Sequence, residues 1–391
     1  MVTEIGEKRS TKIFALYVIG FLFTLHGALP AYITSSFLNT FINEHFIGAL
    51  YALSALVTIL FFILIPKIIY RFGNYLTTQT LLLCDIAGLI GLIWSHNPYV
   101  LSISFIVSFT AIAVIGFNID VFLEHFSKDA ITGKIRGILL STSNIAWVVA
   151  PLLGGLILTN GDYWKIFLTA TLIVLPLFFV LHSNFRDFGD PDYQSLPIKN
   201  TLKEMWVNKS IRSVFIVSFL LQFFYSWMII YSSLYLYTYV GFSWKEIGVM
   251  FSIMLLPFVL IEAPLGRLAD TKWGEKEVMA VGFIVMAVPT AMVAFVHAKS
   301  FFLWTSLMFV SRVGASMVEI MSETYFFKKI DSTRTNILGL FRAMRPSAYL
   351  VSPVVATILF SFGFSIPHIF IVLSLIMLMG IHWSLSIEDT L

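Results

Sequence analysis

Long apolar segments follow one another along almost the whole chain and decide what it can fold into. A helix needs about 20 apolar residues to cross a bilayer. About twelve segments have this length: 13–37, 46–69, 75–94, 99–125, 136–158, 164–183, 211–237, 246–266, 277–297, 300–326, 336–360 and 365–386. Lipid offers the backbone no hydrogen bonds, so only helices and closed β-barrels span membranes. Because these segments are continuous rather than alternating, the sequence predicts an all-α polytopic membrane protein with twelve transmembrane helices.

The composition limits the classes of function that the protein can have. Of 391 residues, 58% are hydrophobic and 12% are charged, whereas a soluble domain carries about 25% charged residues. The single cysteine, Cys84, excludes an internal disulfide and a multi-cysteine metal site. The eight histidines are scattered and form no cluster of a catalytic type. We therefore expect no enzyme, no metal and no cofactor, and no segment indicates nucleic-acid binding.

The positive charges predict the orientation of the chain. Of 25 Lys and Arg residues, 19 fall on the side of the N-terminus, three fall inside spans, and three fall on the other side, namely Lys165, Lys245 and Lys299. Such an excess marks the cytoplasmic side, so we expect a multi-pass protein of the cytoplasmic (inner) membrane with both termini cytoplasmic. The first apolar segment is too long for a signal peptide, and we interpret it as a retained helix.

The two halves of the chain resemble each other. Residues 146–155 and 348–356 are similar segments, with Ala146 and Pro151 each 202 residues before Ala348 and Pro353. Between the halves, the interval 186–210 is first rich in Asp, Gly and Pro and then mixes apolar and charged residues. We predict an N-terminal six-helix bundle at 1–185, a cytoplasmic linker at 186–210 and a C-terminal six-helix bundle at 211–391.

A charged, glycine-rich loop lies between the eighth and ninth spans. Six of its positions fit the pattern G-x-L-x-D-[RK]-x-G-[RK]-[RK], with one additional residue: Gly266, Leu268, Asp270, Lys272, Gly274 and Lys276. The loop thereby resembles a signature of the major facilitator superfamily. The corresponding loop of the first half keeps Arg71 and Gly73 but has Tyr70 in place of the aspartate.

A second motif strengthens this resemblance. In the fifth span, Pro151, Gly154 and Gly155 match the antiporter signature of the superfamily, while Ala146 and Ala150 replace two of its glycines. Antiport is therefore hinted at by the sequence and not established. The arginine that the family usually has midway along the fourth helix is missing, since no Arg occurs between Tyr99 and Phe126.

The resemblance implies an architecture and a set of roles. Members of the superfamily have two pseudosymmetric six-helix bundles and transport solutes by alternating access, with the first, fourth, seventh and tenth helices lining a central cavity. Gly266, Asp270, Lys272 and Gly274, with Arg71 and Gly73, would form a conformational latch. Pro151, Gly154, Gly155 and Pro353 would allow helices to bend, or would only permit tight helix packing.

Ionisable side chains inside spans are costly and become functional candidates. Arg312, Glu319 and Glu323 are spaced by seven and four residues and so share one face of the tenth span. Arg342 on the eleventh span lies at a similar depth, which predicts a Glu319–Arg342 or a Glu323–Arg342 pair. Two interpretations stay open: the charges neutralise one another and set helix packing, or one carboxylate exchanges a proton or meets the solute.

Other polar residues inside spans are further candidates. His26 lies mid-span on the first helix, Asn118 and Asp120 lie on the fourth, and Gln222 and Tyr225 on the seventh. For each of these, a purely structural role in packing is the alternative. We expect Asp85 and Glu262 to have packing or latch roles, and Glu124 to pair with a nearby basic residue.

The sequence as a whole predicts a secondary active transporter. We expect it to move a small solute by alternating access, with proton coupling because carboxylates lie inside spans, and to act as a monomer in the lipid bilayer. One alternative is a proton antiporter that exports drugs or amphipathic compounds. The other is a non-transporting membrane receptor on the same scaffold. The sequence does not identify the solute.

Overall fold

The fold is entirely helical in the residues that can be described. A computed structural model describes the backbone of residues 2–126, 132–158, 161–190, 206–261, 264–265, 274–296, 298–329 and 340–388. The chain divides into two compact units, Met1–Ser195 and Leu196–Leu391. This division falls inside the interval predicted as a linker, while the arrangement as two six-helix bundles stays a prediction.

Seven helices form the described part of the first unit. They are α1 (Val2–Ala31), α2 (Thr34–Asn39), α3 (Glu44–Phe72), α4 (Asn74–Trp94), α5 (Pro98–Phe126), α6 (Thr132–Ile157) and α7 (Trp164–Phe185). Helix α1 packs against α6 and α7, and α4 packs against α5 and α7. The apolar faces meet in a core that includes Leu16, Ile115, Phe122, Val174 and Phe185.

Six α-helices form the described part of the second unit. They are α8 (Lys209–Leu234), which continues as a π-helix (Tyr235–Val240), α9 (Trp244–Leu260), α10 (Glu275–Met292), α11 (Phe301–Lys329), α12 (Met344–Ser361) and α13 (Ile366–Leu385). Helix α9 begins with a capping box, in which the Ser243 hydroxyl accepts from the Glu246 N–H and the Glu246 carboxylate accepts from the Ser243 N–H.

The predicted spans are found with one difference in length. Within the described residues, eleven helical segments are long and apolar enough to cross a membrane, and this supports a multi-pass membrane protein. The predicted span 246–266 is represented by α9, which has 17 residues and ends at Leu260, followed by a turn at Ile261. Residues 266–273 lie outside the described part, so the count of twelve spans stays a prediction.

The repeated segments occupy similar surroundings in their own units. Ala146 on α6 and Ala348 on α12 are both fully buried. Helix α6 packs against α1, and α12 packs against α8, where the Ser352 hydroxyl donates to the Ser226 hydroxyl at 2.7 Å. The 202-residue repeat therefore has a counterpart in local packing.

Two glycines bring α10 and α11 into close contact. A Cβ atom on Gly314 would lie 2.5 Å from the carbonyl oxygen of Gly282 and 2.5 Å from the amide nitrogen of Met286. A Cβ atom on Gly282 would in turn lie 2.9 Å from the carbonyl oxygen of Gly314. Small residues at such crossings let helix backbones approach each other in membranes.

We expect Gly314→Ala to destabilise the second unit. The added methyl group meets backbone atoms that cannot rotate away, and such overpacking costs about 1–3 kcal/mol. The midpoint of thermal unfolding in detergent should therefore fall. Gly189→Ala is the matched control, because nothing lies within 4 Å of a Cβ atom at that position. Equal midpoints for the two variants would contradict a tight α10–α11 crossing.

Candidate functional site

Helices α8 and α11 bring a tyrosine and a carboxylate together in the second unit. The hydroxyl of Tyr225 donates to Oε2 of Glu319 at 2.6 Å, and both side chains are partly buried. The bond joins residues 94 positions apart in sequence. A short O–H···O⁻ bond of this kind is stronger than one between neutral groups, so it ties the two helices at a titratable group.

Arg312 lies two turns before Glu319 on α11 and is 1% exposed. Its guanidinium carbon is 4.8 Å from the centre of the Phe224 ring and 5.8 Å from the centre of the Tyr225 ring. Among the described residues, none accepts a hydrogen bond from its Nε or from either terminal nitrogen. Leaving a buried charge unpaired costs several kcal/mol, and stacking on aromatic rings offsets only part of this.

The carboxylates of α11 have different partners. Of the two predicted ion pairs, Glu323 with Arg342 is confirmed, at 3.4 Å between Oε1 and a terminal guanidinium nitrogen. Glu319 instead has Tyr225 as its short contact. Arg342 lies in residues 340–342, which are helical and precede α12 within the membrane-length segment Leu340–Ser361. The similar depth of Glu319 and Arg342 stays a prediction.

In the first unit, His26 pairs with Asp85. Its Nε2 lies 2.8 Å from Oδ2 of Asp85, and both side chains are fully buried. Oδ1 of Asp85 accepts a hydrogen bond from the Ser108 hydroxyl at 2.6 Å, and Nδ1 of His26 lies 2.8 Å from the carbonyl oxygen of Phe23. The network joins α1, α4 and α5, so His26 and Asp85 contribute directly to helix packing.

Proton counting shows that this pair carries no net charge. The Phe23 carbonyl only accepts, so Nδ1 of His26 holds a proton. One further proton lies between Nε2 and Asp85, and wherever it resides the sum of the two charges is zero. A neutral pair costs much less to bury than a single ion, which explains how both groups are tolerated at full burial.

The other predicted polar candidates have contrasting environments. Asn118 is fully buried, and its amide nitrogen donates to the Thr78 hydroxyl at 3.0 Å, between α5 and α4. Asp120 is exposed, whereas Asp85 of the same unit is fully buried. On α8, Gln222 is partly exposed, one turn before Tyr225. The side chain of Glu124 lies outside the described residues.

The loop of the first half has a feature that sequence reasoning missed. Gly73 has φ +80°, a left-handed conformation that favours glycine. An added Cβ atom there would lie 2.7 Å from Oδ2 of Asp190, whose Oδ1 accepts from the Asn74 N–H at 2.8 Å. Asp190 thus places a carboxylate at the N-terminus of α4, where the helix dipole favours it. Arg71 is exposed and lies over the Phe72 ring.

The loop of the second half is described only at its end. Gly266, Asp270 and Lys272 lie outside the described residues, so their latch role stays a prediction. Gly274 is the N-cap of α10. The next residue, Glu275, is fully buried and pairs with Lys328 of α11 at 2.8 Å. This pair, which the sequence did not indicate, joins the start of α10 to the end of α11.

The predicted bending residues lie inside continuous helices. Pro151 is within α6, and Pro353 is within α12. A Cβ atom on Gly154 would lie 2.9 Å from Cδ1 of Ile33, so this glycine allows close packing. Gly155 is buried. These contacts favour the packing alternative for Gly154, while a bending role for the four residues stays a prediction.

Comparison with known proteins gives one family model and a set of similar solved structures. The sequence profile of the Major Facilitator Superfamily matches residues 214–390. No curated protein sequence matches the chain. Solved structures are similar to it over nearly the whole length.

Three crystal structures illustrate this similarity. A mutant of the nucleoside transporter NupG has a TM-score of 0.77 at 14% identity, covering 95% of this chain and 99% of that one. A further structure of NupG has a TM-score of 0.77 at 14% identity, covering 96% and 98%. An inward-facing, unoccupied bacterial homologue of the human lysosomal transporter Spinster has a TM-score of 0.70 at 11% identity, covering 97% and 93%.

The fold and the site define a polytopic membrane protein that holds ionisable side chains within its helices. The family model matches most of the second unit, and the solved transporter structures are similar in fold to nearly the whole chain. These findings support a transporter of the major facilitator superfamily, although the family model covers somewhat less than half of the chain. At identities of 11–14% the solved structures establish the fold, so the solute and the energy source must be argued from this chain's own residues.

We expect Asp190→Ala to destabilise the start of α4. Gly73 has no side chain with which to cap the helix, so the loss of the Asp190 carboxylate leaves the Asn74 N–H unpaired and costs about 1 kcal/mol. Hydrogen exchange at residues 74–77 should become faster, and the thermal midpoint should fall. Asp187→Ala is the control, because the Asp187 side chain is 85% exposed. Unchanged exchange in Asp190→Ala would exclude a capping role.

Proposed function

We propose that this protein is a proton-coupled secondary transporter that moves a small solute by alternating access. It acts as a monomer in the cytoplasmic membrane, with both termini on the cytoplasmic side. The observation that carries the proposal is the 2.6 Å bond between Tyr225 and Glu319. Glu319 is a carboxylate in the interior of a membrane helix, and its short contact is a neutral hydroxyl rather than a cation.

Glu319 is the proposed proton carrier because its charge state changes its contacts. As a carboxylate it accepts the bond from Tyr225 through one oxygen. Protonation removes the negative charge and turns one oxygen into a donor. The bond between α8 and α11 then weakens, since a bond to a neutral group is about half as strong. Proton binding at one side chain is thereby linked to how tightly two helices are held.

Glu323 is less suited to this role. Its carboxylate faces the Arg342 guanidinium at 3.4 Å, so a cation of the protein already lies beside it. Its side chain is 28% exposed and that of Arg342 is 51% exposed. We therefore assign Glu323 and Arg342 to helix positioning rather than to proton transfer.

Solute contact is proposed at the partly exposed face of α8. Gln222 and Tyr225 are one turn apart and both are partly exposed. An amide and a phenol supply hydrogen bonds and an aromatic surface, which are the usual lining of small-molecule sites. Because Tyr225 also holds Glu319, a solute that takes its hydroxyl changes the surroundings of the proton carrier.

The test is solute flux in proteoliposomes that contain a pH-sensitive dye. The panel comprises sugars, amino acids, organic acids, amphipathic cations and nucleosides, the last because NupG is described as a nucleoside transporter. Solute-dependent proton movement in the same direction indicates symport. Movement in opposite directions indicates the antiport suggested by Pro151, Gly154 and Gly155. Absence of flux in every class, from folded protein, would contradict the proposal.

We expect Glu319→Gln to reduce the rate of solute-dependent proton movement at least tenfold. The amide keeps the size and one acceptor oxygen of the carboxyl group but does not titrate. Solute binding should be retained, because the substitution removes the proton and not the helix contact. Glu323→Gln is the matched control on the same face of α11, and its proton movement should stay within about twofold of wild type. Full proton movement in Glu319→Gln would exclude Glu319 as the carrier.

A further inference from the structure

We propose that the transported solute is an organic anion and that Arg312 binds its acidic group, a carboxylate or a phosphate. This inference rests on the proposed transport function and assigns the class of its solute. It starts from the unpaired guanidinium inside the second unit. Tyr225 and Glu319 connect that guanidinium to the proposed proton site.

Arg312 is a buried charged side chain without a hydrogen-bond acceptor among the described residues. It is 1% exposed, and its three nitrogens have no hydrogen-bond acceptor in the described part of the chain. Other charged groups of this unit have partners: Glu323 faces Arg342, and Glu275 faces Lys328. An unpaired buried arginine is retained at a large energetic cost, which is consistent with a partner that is not part of the protein.

The surroundings of Arg312 select an oxyanion as that partner. A guanidinium carries five N–H donors in a fixed plane and no acceptor. The Phe224 and Tyr225 rings attract its positive charge from 4.8 Å and 5.8 Å, but they do not satisfy the in-plane donors. A carboxylate or a phosphate accepts two such bonds in parallel. A neutral solute would leave the positive charge without compensation.

Tyr225 is the element through which a solute would reach Arg312. Its ring lies against the guanidinium, its hydroxyl bonds Glu319, and its side chain is partly exposed. Movement of this one ring would uncover the cation and release the carboxylate together. Anion binding and proton binding would then be linked, because the released Glu319 gains stability by taking a proton in an apolar site.

Charge balance predicts one proton with each monoanion. The empty site holds Arg312⁺ and Glu319⁻ and has no net charge. Binding of a monoanion and a proton gives Arg312⁺, the anion and neutral Glu319, again without net charge. An anion alone leaves an extra negative charge, and a proton alone leaves an extra positive one. Net charge is costly in a low-dielectric interior. The empty site and the site loaded with both anion and proton therefore change readily between the two conformations of the transport cycle.

The remaining charged groups around Glu319 do not alter this balance. Glu323, Arg345 and Arg342 act electrostatically on Glu319. Glu323 and Arg342 form an ion pair with each other. Arg345 is exposed. The neighbouring helices α9 and α10 carry their charged residues in the first turn: Lys245, Glu246, Glu275, Lys276 and Glu277.

The first experiment measures binding by the purified full chain in detergent with matched pairs of probes. Glucose is compared with gluconate and glucose 6-phosphate, and uridine with uridine 5′-monophosphate, while acetate and inorganic phosphate serve as minimal anions. We expect at least one anionic probe to raise the thermal midpoint while its neutral counterpart does not. The carboxylate and phosphate arms tell which acidic group is accepted.

Variants then assign the binding to Arg312. Arg312→Gln should lower the affinity for the anionic probe at least tenfold. Arg345→Gln is the control, because Arg345 is exposed, and it should bind the probe like wild type. Arg312→Lys keeps the positive charge but lacks the planar N–H donors of a guanidinium, so it should bind the anion more weakly than wild type. This variant replaces Arg312→Gln in the test if Arg312→Gln does not fold. The proposal is overturned if no anion shifts the midpoint, if neutral probes bind equally well, or if Arg312→Gln retains full affinity.

The second experiment measures the charge moved with the accepted anion in proteoliposomes. For a monoanion, an inward proton gradient should drive uptake, and a potassium diffusion potential should change the rate by less than about twofold. Strong dependence on potential would contradict the paired proton. If anions bind through Arg312 but no solute moves, the transport function fails and the anion site stands. If a neutral solute moves with protons and Arg312→Gln has no effect, the anion assignment fails and transport stands.

Discussion

The exclusion of water from the membrane interior is the constraint on which the rest of this structure depends. A polar group placed there is costly unless it finds a partner. Backbone groups find theirs by forming helices, and this alone accounts for the all-helical architecture. Side chains follow the same rule across helices: Asn118 donates to Thr78, and Ser352 donates to Ser226. Each bond therefore holds two spans at one relative height.

The two units treat buried charge in different ways. In the first unit, His26 and Asp85 bond to each other and Ser108 completes the set, so the group is neutral and fixed. In the second unit, Glu319 has a neutral partner and Arg312 has none among the described residues. The first arrangement suits packing. The second leaves a buried guanidinium without a hydrogen-bond partner among the described residues, and the proposed coupling of a proton to a solute depends on this arrangement.

The sequence predicted what depends on short-range patterns. Hydropathy located the spans, and helical periodicity placed Arg312, Glu319 and Glu323 on one face of α11. It offered two partners for Arg342 and could not choose, because the choice depends on side-chain contacts between α11 and the helix that follows it. The sequence did not reveal that Asp190 caps α4 or that Glu275 pairs with Lys328. Those contacts join residues 116 and 53 positions apart, and only tertiary packing brings them together.

The loop and the family match point to the same half of the chain. The second half keeps Gly266, Asp270 and Lys272 of the loop signature, and the family profile covers residues 214–390. The first half has Tyr70 at the aspartate position, yet Asp190 brings a carboxylate to the neighbouring helix start from another part of the chain. The dipole of α4 requires negative charge at its N-terminus and does not require that it come from the adjacent residue. A motif can thus be lost from the sequence while its electrostatic contribution is supplied by the fold.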